Sequence, residues 1–231
     1  MNLWLYYLFT FFAIILLRYF LIAGGAYWLF YSASSKLNIV ENKKQYLIKK
    51  DITLSISAAI ASAICAALIM TVYDSGWTLL YSSVDERGIL YLFISFIEVI
   101  LLQDTCYYFL HRGFHHPRVY SWLHKGHHRS QDPTPWTSFA LDFPEALIQG
   151  LFLVSIVFII PLHFLVLALW LLTMTIWSLV NHLGFELFPS FPHHWLGKWL
   201  ISAEHHALHH RRYTKHYGLY FTIWDRLMGT N

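Results

Sequence analysis

Long uncharged segments constrain the fold of this chain more than any other feature of its sequence. Ile52–Tyr73 contains 22 residues without a charged side chain, and as a helix it would be about 33 Å long, matching a hydrocarbon core of about 30 Å. Leu3–Tyr31 is apolar apart from Arg18, and Gly88–Leu110 contains only two carboxylates. With 57% hydrophobic and 13% charged residues, the chain has too few charged side chains to cover the surface of a soluble protein. The sequence therefore predicts an all-α integral membrane protein.

A fourth apolar segment, Ala146–Asn181, contains 36 residues and no Lys, Arg, Asp or Glu. A single helix of this length would be about 54 Å long, and Pro161 near its middle cannot continue the helical hydrogen bonding. We therefore expect a helical hairpin with a short first arm, and about four transmembrane helices or hairpin arms in total. His163 lies beside the turn, where a structural role is expected.

The charges of the first two loops predict the orientation. Residues 32–51 carry five lysines, whereas residues 74–87 carry three acidic residues and one arginine. The lysines are Lys36, Lys43, Lys44, Lys49 and Lys50. The positive-inside rule places the first loop, and with it every histidine cluster, on the cytoplasmic side. We expect one domain over residues 1–231, mainly transmembrane in 1–110, with the histidine clusters in 111–231 around a hairpin at 146–181. The chain ends at Asn231 without a lysine-rich retrieval tail, which favours a bacterial inner membrane over the endoplasmic reticulum.

All 15 histidines follow residue 110, and most fall into three clusters. The clusters are His111-Arg-Gly-Phe-His115-His116, His124-Lys-Gly-His127-His128 and His205-His206-Ala-Leu-His209-His210. Residues three or four apart share one face of a helix. Three sets are therefore each expected to converge on one point: His111 with His115, His124 with His127 and His128, and His206 with His209 and His210. Together with His182 they offer more nitrogens than one ion takes, which predicts two metal ions. Asp104 and His116 are candidates for additional ligands or for support of the ligands.

Several motifs of hydrolases and nucleotide-binding proteins are absent from the sequence. The sequence has no His-Glu-x-x-His, no Gly-x-Ser-x-Gly, no phosphate-binding loop and no dinucleotide fingerprint. It also lacks a stripe of basic residues interleaved with aromatic residues, the pattern that would suggest nucleic-acid binding. An all-nitrogen dimetal site beside apolar helices fits oxidation of a lipid carbon by O₂. Such oxidation requires a redox-active metal and so favours iron, although zinc binds nitrogen ligands more tightly and can replace iron on purification. A membrane zinc-dependent hydrolase and a non-catalytic metal-binding membrane protein remain open as alternatives, and O₂-dependent product formation would separate the oxygenase from both.

The order and spacing of the histidine clusters resemble those of the fatty acid hydroxylase/sterol desaturase superfamily of membrane di-iron oxygenases. Further motifs resemble its sterol C5-desaturase (lathosterol oxidase) branch: Pro133-Thr-Pro135-Trp136, Trp177 five residues before His182, the doubled His205-His206, and the ending Trp224-Asp225-Arg226-Leu-Met-Gly229.

Three positions depart from the pattern of the superfamily. Leu183 follows His182 where the branch usually has aspartate, and His216 precedes the Tyr-Gly pair where it usually has asparagine. The fatty acid 2-hydroxylase branch has a second histidine where this chain has Glu186. Glu186 is therefore a candidate for an additional ligand or for support of the second metal. His205, beside His206, is a further candidate for an additional ligand or for support of the ligands.

The resemblance implies a function and a set of ligands. It implies a di-iron enzyme that hydroxylates or desaturates a sterol-like or fatty-acyl lipid with O₂ and external electrons. The donor would be a cytochrome b5-like protein or a ferredoxin with its reductase. The implied ligands are His111, His115, His124, His127, His128, His182, His206, His209 and His210.

Overall fold

The computed structural model describes residues 2–32, 42–187 and 193–231, and these parts of the chain are mostly helical, with only two short strands. The helices are α1 (Leu3–Tyr19), α2 (Gly25–Tyr27), α3 (Asn42–Asp74), α4 (Ile89–Phe114), α5 (Tyr120–Leu123), α6 (Phe143–Ile159), α7 (Phe164–Asn181), α8 (Ala203–Arg212) and α9 (Ile223–Leu227). The expected all-α class is confirmed. Lys36, one of the five lysines of the first loop, lies outside the described residues.

Four helical segments are long and apolar enough to cross a membrane, as expected. They are Leu3–Tyr31, Gln45–Asp74, Ile89–Phe114 and Phe164–Asn181. The first combines α1 and α2 with two π-helical turns, Phe20–Gly24 and Trp28–Ser32. α6 is apolar but has only 17 residues, so the first hairpin arm is indeed the shorter one.

The hairpin turns at Pro161, between the end of α6 and the start of α7. Beside the proline, β2 (Leu162–His163) pairs in parallel with β1 (Leu80–Tyr81) from the loop between α3 and α4. His163 Nε2 donates to the Ser82 carbonyl at 2.8 Å, and its Nδ1 accepts the Leu165 amide hydrogen at 3.0 Å. His163 therefore caps α7 and ties the two loops together, which confirms the structural role expected for it.

Small residues allow α3 to pack closely against its neighbours, α1 and α6. Ala58 and Ala61 of α3 form a buried cluster with Ala146 of α6. Further along the same interface, a Cβ atom on Gly150 would lie only 2.6 Å from Cys65 Sγ. In membranes, close backbone approach of this kind increases van der Waals contact between helices.

Gln103 joins α4 to α7 and to the C-terminal region from within the third span. The Trp170 indole and the Tyr220 hydroxyl both donate to Gln103 Oε1, at 2.6 and 2.7 Å. These bonds satisfy polar groups that would otherwise be costly in an apolar interior. They also fix the end of the helix bundle from which the histidines project.

Candidate metal centre

Nine histidines meet at one end of the helix bundle in two adjacent groups. The first group is His111, His115, His124, His128 and His209, and the second group is His127, His182, His206 and His210. Within each group the candidate ligand atoms all lie within 4.8 Å of one another. The groups touch, since the ring centroids of His128 and His210 are 4.7 Å apart. The structure thus brings together all nine histidines that the sequence analysis selected.

The expectation that each cluster converges on one point is confirmed for His111 and His115, which share the first group, but is wrong for the other two clusters. His128 belongs to the first group and His127 to the second, and α8 contributes His209 to the first but His206 and His210 to the second. On α8, His206 and His210 are about 40° apart around the axis, whereas His209 and His210 are about 100° apart. His127 and His128 lie in a 3₁₀ turn, His127–Arg129, where successive side chains point in directions about 120° apart. Each group therefore takes its histidines from several segments of the chain, and so would the metal ion that it binds.

Backbone carbonyls fix the tautomer of four of the nine rings. The Nδ1 atoms of these histidines lie 2.6–3.1 Å from the carbonyl oxygens of Tyr217, Ala140, Ser178 and Lys215. The four histidines, in the same order, are His111, His127, His182 and His209. A carbonyl oxygen can only accept a hydrogen bond, so each Nδ1 carries the hydrogen and each neutral Nε2 carries a lone pair.

The Nε2 atoms then face one another at distances that a cation would explain. His111 Nε2 lies 3.0 Å from His124 Nε2, and His206 Nε2 lies 3.0 Å from His182 Nε2. At least one nitrogen of each pair has no hydrogen, and His124 Nε2 also lies 3.1 Å from His128 Nε2. Two ligand nitrogens at ~2.1 Å from one ion and at right angles to each other are ~3.0 Å apart. The spacing of these imidazole nitrogens therefore fits the binding of metal ions.

Burial keeps these imidazoles in the neutral form that binds metal. Desolvation lowers the pKa of His115 to about 3 and that of His127 to about 4. The pKa of His182 falls to about 3, through desolvation and then the nearby His127. A metal ligand must present an unprotonated nitrogen. Near neutral pH these rings do so without the cost of removing a proton.

A buried carboxylate supports the first group from α6. Glu145 Oε2 accepts the hydrogen of His124 Nδ1 at 2.8 Å, and Gln149 Nε2 donates to Glu145 Oε1 at 3.1 Å. Carboxylates in this position orient a ligand histidine and increase its basicity. Glu145 is not among the residues that the sequence predicts for the site. Its position as the last charged residue before the 36-residue apolar segment could have indicated it.

Two aspartates hold the C-terminal loop against the same group without touching a histidine. Asp104 Oδ1 accepts three backbone amide hydrogens, from residues 219–221, at 2.7–3.3 Å. The Asp225 carboxylate accepts the amide hydrogens of Tyr217 and Gly218 at 2.8 and 2.9 Å. These bonds place the Tyr217 carbonyl against His111 Nδ1. Asp225 belongs to a motif that resembles the sterol C5-desaturase branch, but it is not among the site residues predicted from the sequence.

The other candidate residues lie outside the two groups as the structure describes them. His116 is exposed, and its Nδ1 accepts the Arg118 amide hydrogen. Glu186 Oε2 accepts the amide hydrogen of Glu204 at 3.4 Å. His205 Nδ1 lies 3.3 Å from Ser202 at the start of α8. Asp104 supports the C-terminal loop, as described above.

An apolar cavity of about 450 Å³ lies next to the first group, between α1, α3, α4, α6 and α7. Tyr107 and Leu110 of α4 line it, and the Tyr107 ring centroid is 5.1 Å from that of His111. The remaining lining is mainly aliphatic and aromatic. A hydrocarbon chain in this cavity would end close to the histidines.

Comparison with known proteins is consistent with this arrangement. Residues 96–230 match the model of the fatty acid hydroxylase family. A Delta(7)-sterol 5(6)-desaturase, ERG3B of Gibberella zeae, is 33% identical over 68% of this chain and 47% of its own length. Human lathosterol oxidase is 30% identical over 79% of this chain and 60% of its own length. The chain therefore spans about half to three fifths of the length of these two relatives. No solved structure matches the chain.

Proposed function

This chain belongs to the fatty acid hydroxylase family, with its relatives in the sterol desaturase branch, and we propose that it is a membrane-bound oxidoreductase that hydroxylates or desaturates a lipid. Two iron ions would be bound by the nine histidines, with five nitrogens from the first group and four from the second. The observation that supports this proposal is the close approach of neutral Nε2 atoms within each group. When bound, the irons would supply the redox chemistry that lets O₂ attack a C–H bond, which zinc cannot supply.

The residues around the metal positions would orient the ligands and the lipid. Glu145 and the carbonyl of Tyr217 hold the His124 and His111 rings with Nε2 directed into the first group. The apolar cavity would hold the lipid and exclude water, with Tyr107 between the lipid and His111. A lipid carbon placed there would be held beside the reacting centre, and such positioning is a large part of what an enzyme contributes.

Either reaction requires electrons from another protein. Hydroxylation converts a C–H bond, O₂, two electrons and two protons into an alcohol and water. Desaturation removes two hydrogens and, with O₂, two electrons and two protons, yields two waters. We propose a cytochrome b5-like protein or a ferredoxin with its reductase as donor. We also propose a single domain with the histidine groups facing the cytoplasm, in a bacterial inner membrane.

The proposed function is tested with purified protein loaded with ferrous iron and supplied with O₂, a ferredoxin with its reductase, and a total lipid extract from cells lacking the gene. We expect about two irons per chain and a new oxidised lipid that forms only when O₂ and the donor are both present. A product that forms without O₂ would instead indicate a hydrolase. Metal binding without any product would indicate a metal-binding protein.

Variants of single histidines test the two groups separately. His127→Ala and His209→Ala each remove one ligand, from the second and the first group respectively. We expect each to lower iron content and to reduce activity at least 100-fold, because the ligands of a metal act together. His163→Ala is the matched control, since this ring caps α7 beside Pro161, away from the histidine groups, and should retain both properties. Full activity in either ligand variant would exclude the dimetal site.

A further inference from the structure

An arginine with no acidic partner lines the apolar cavity. Arg18 lies near the middle of the first span, Leu3–Tyr31. Among the described residues that line the cavity it is the only one with a formal charge, and no carboxylate accompanies it there. Charged side chains within membrane spans are costly, and they usually pair or serve a function. The position of Arg18 therefore requires an explanation.

The contacts of Arg18 leave part of its guanidinium unused. Its Nη1 donates to Thr175 Oγ1 of α7 at 2.7 Å, and the guanidinium carbon lies 5.2 Å from the centroid of the Phe139 ring. Its Nε is buried and has no hydrogen-bond partner among the described residues. Arg18 belongs to neither of the two ion pairs found among the described residues. A half-buried cation with an unused donor in an apolar span is suited to bind an anion.

We propose that Arg18 binds the carboxylate of an acidic lipid whose hydrocarbon part occupies the cavity. The guanidinium fork presents Nε–H and an Nη–H to one side, which matches the two oxygens of a carboxylate. Thr175 holds the fork on α7 through Nη1, and Nε has no hydrogen-bond partner among the described residues. A cavity of about 450 Å³ is of the size that holds one small ligand, so a single-chain or sterol-type acid fits better than a two-chain phospholipid.

This inference rests on the proposed function in one respect, that the bound lipid is the substrate. Thr175 precedes His182 by seven residues on α7, a distance of about 10 Å along the helix. A carboxylate held at Arg18 would fix the lipid relative to the histidine groups. The position of the oxidised carbon would then be set by its distance from the acidic end.

The test compares acids with alcohols of the same skeleton, using purified protein in nanodiscs of phosphatidylcholine at alkaline pH. The probes are hexadecanoic acid against hexadecan-1-ol, and cholesteryl hemisuccinate against cholesterol. We expect the wild-type protein to bind at least one of the two acids ten-fold or more tightly than its alcohol. Arg18→Gln should lose this preference and keep its affinity for the alcohol, whereas Arg18→Lys should keep part of the preference.

Arg87→Gln is the matched control. Arg87 also stacks on aromatic rings, those of Tyr81 and Tyr91, but it lies in the loop before α4 and does not line the cavity. This variant should bind the acids as the wild-type protein does. Equal affinity of the wild-type protein for acid and alcohol in both pairs, or a preference that survives in Arg18→Gln, would overturn the inference. Binding is measured without turnover, so acid-selective binding by a protein that oxidises nothing would support the Arg18 site and contradict only the proposed oxygenase.

Discussion

At the scale of single residues, His216 shows how the backbone conformation limits which residue types can occupy a position near the histidine groups. Its φ is +55°, in the left-handed region, where asparagine, aspartate and histidine are several-fold enriched among non-glycine residues. The sterol C5-desaturase branch, which this sequence resembles, usually has asparagine here. The exchange of asparagine for histidine therefore preserves the backbone conformation and adds a titratable ring, buried against His205 at a centroid distance of 4.7 Å.

This ring makes the stability of the protein depend on pH. Burial, followed by the nearby His205, lowers the pKa of His216 to about 4. Between pH 6.5 and 4 the unfolded chain therefore binds a proton that the folded chain excludes, and stability falls as the pH falls through this range. His216→Asn should weaken the dependence of the melting temperature on pH over this interval, because it removes one of the buried histidines that titrate there. Identical pH profiles for the wild-type protein and His216→Asn would refute the assignment.

Glu145 allows a test of ligand support without removing a ligand. In Glu145→Gln the amide oxygen can still accept from His124 Nδ1, but the charged acceptor is lost and the ring becomes less basic. We expect the affinity for iron to fall about 10- to 100-fold, as for other residues that hold a metal ligand. A competition titration with a chelator measures this change. Glu204→Gln, at the exposed start of α8, is the control, and equal affinities in the two variants would show that Glu145 has no such role.

At the scale of helices and loops, the sequence predicts what depends on local composition. The uncharged segment Ile52–Tyr73 predicts a span, and α3 contains it but begins at Asn42, because lysine and glutamine are themselves good helix formers. Pro161 locates the turn of the hairpin, since proline cannot donate a helical hydrogen bond. These features could be predicted because each is determined within a few residues.

The division of the histidines between two groups could not be predicted in this way. His127 and His128 are adjacent in sequence but belong to different groups, and the division depends on where α7 and α8 meet the segment that carries them. The pairing of Glu145 with His124 likewise depends on how α6 packs, because the two residues are 21 positions apart in the sequence. Tertiary packing, which spacing along the chain does not encode, determines both features.

The packing of α6 against α3 is itself testable at Gly150. A Cβ atom there would lie 2.6 Å from Cys65 Sγ and 3.0 Å from its Cβ, so any larger side chain must push the two helices apart. We expect Gly150→Leu to destabilise the protein by about 1–3 kcal/mol, the usual cost of overpacking, which would appear as a lower melting temperature in detergent. Ser155→Leu, on the exposed side of the same helix, should have little effect. Equal melting temperatures for the two variants would mean that this interface is not tightly packed.

At the scale of the whole molecule, the helices place the two sets of loops at opposite ends of the bundle. The loop between α3 and α4 meets the hairpin turn through β1 and β2, and His163 bonds to this loop. The histidine groups lie at the other end, where α4 and α7 terminate. The cavity lies between these ends within the apolar helices, so a lipid could reach the histidines without leaving the bilayer.

This arrangement makes the orientation of the protein in the membrane testable with two cysteines. Ser83 and Thr214 are both exposed, the first in the loop between α3 and α4 and the second just beyond α8. Because the lysine-rich first loop should be cytoplasmic, an impermeant maleimide should label Ser83→Cys in intact cells but label Thr214→Cys only after permeabilisation. The native cysteines, Cys65 and Cys106, lie in spans, and unsubstituted protein gives their background labelling. Labelling of both sites from one side would contradict the predicted number of membrane crossings. Labelling of Thr214→Cys in intact cells and of Ser83→Cys only after permeabilisation would agree with that number but would place the histidine groups outside the cytoplasm, away from a cytoplasmic electron donor.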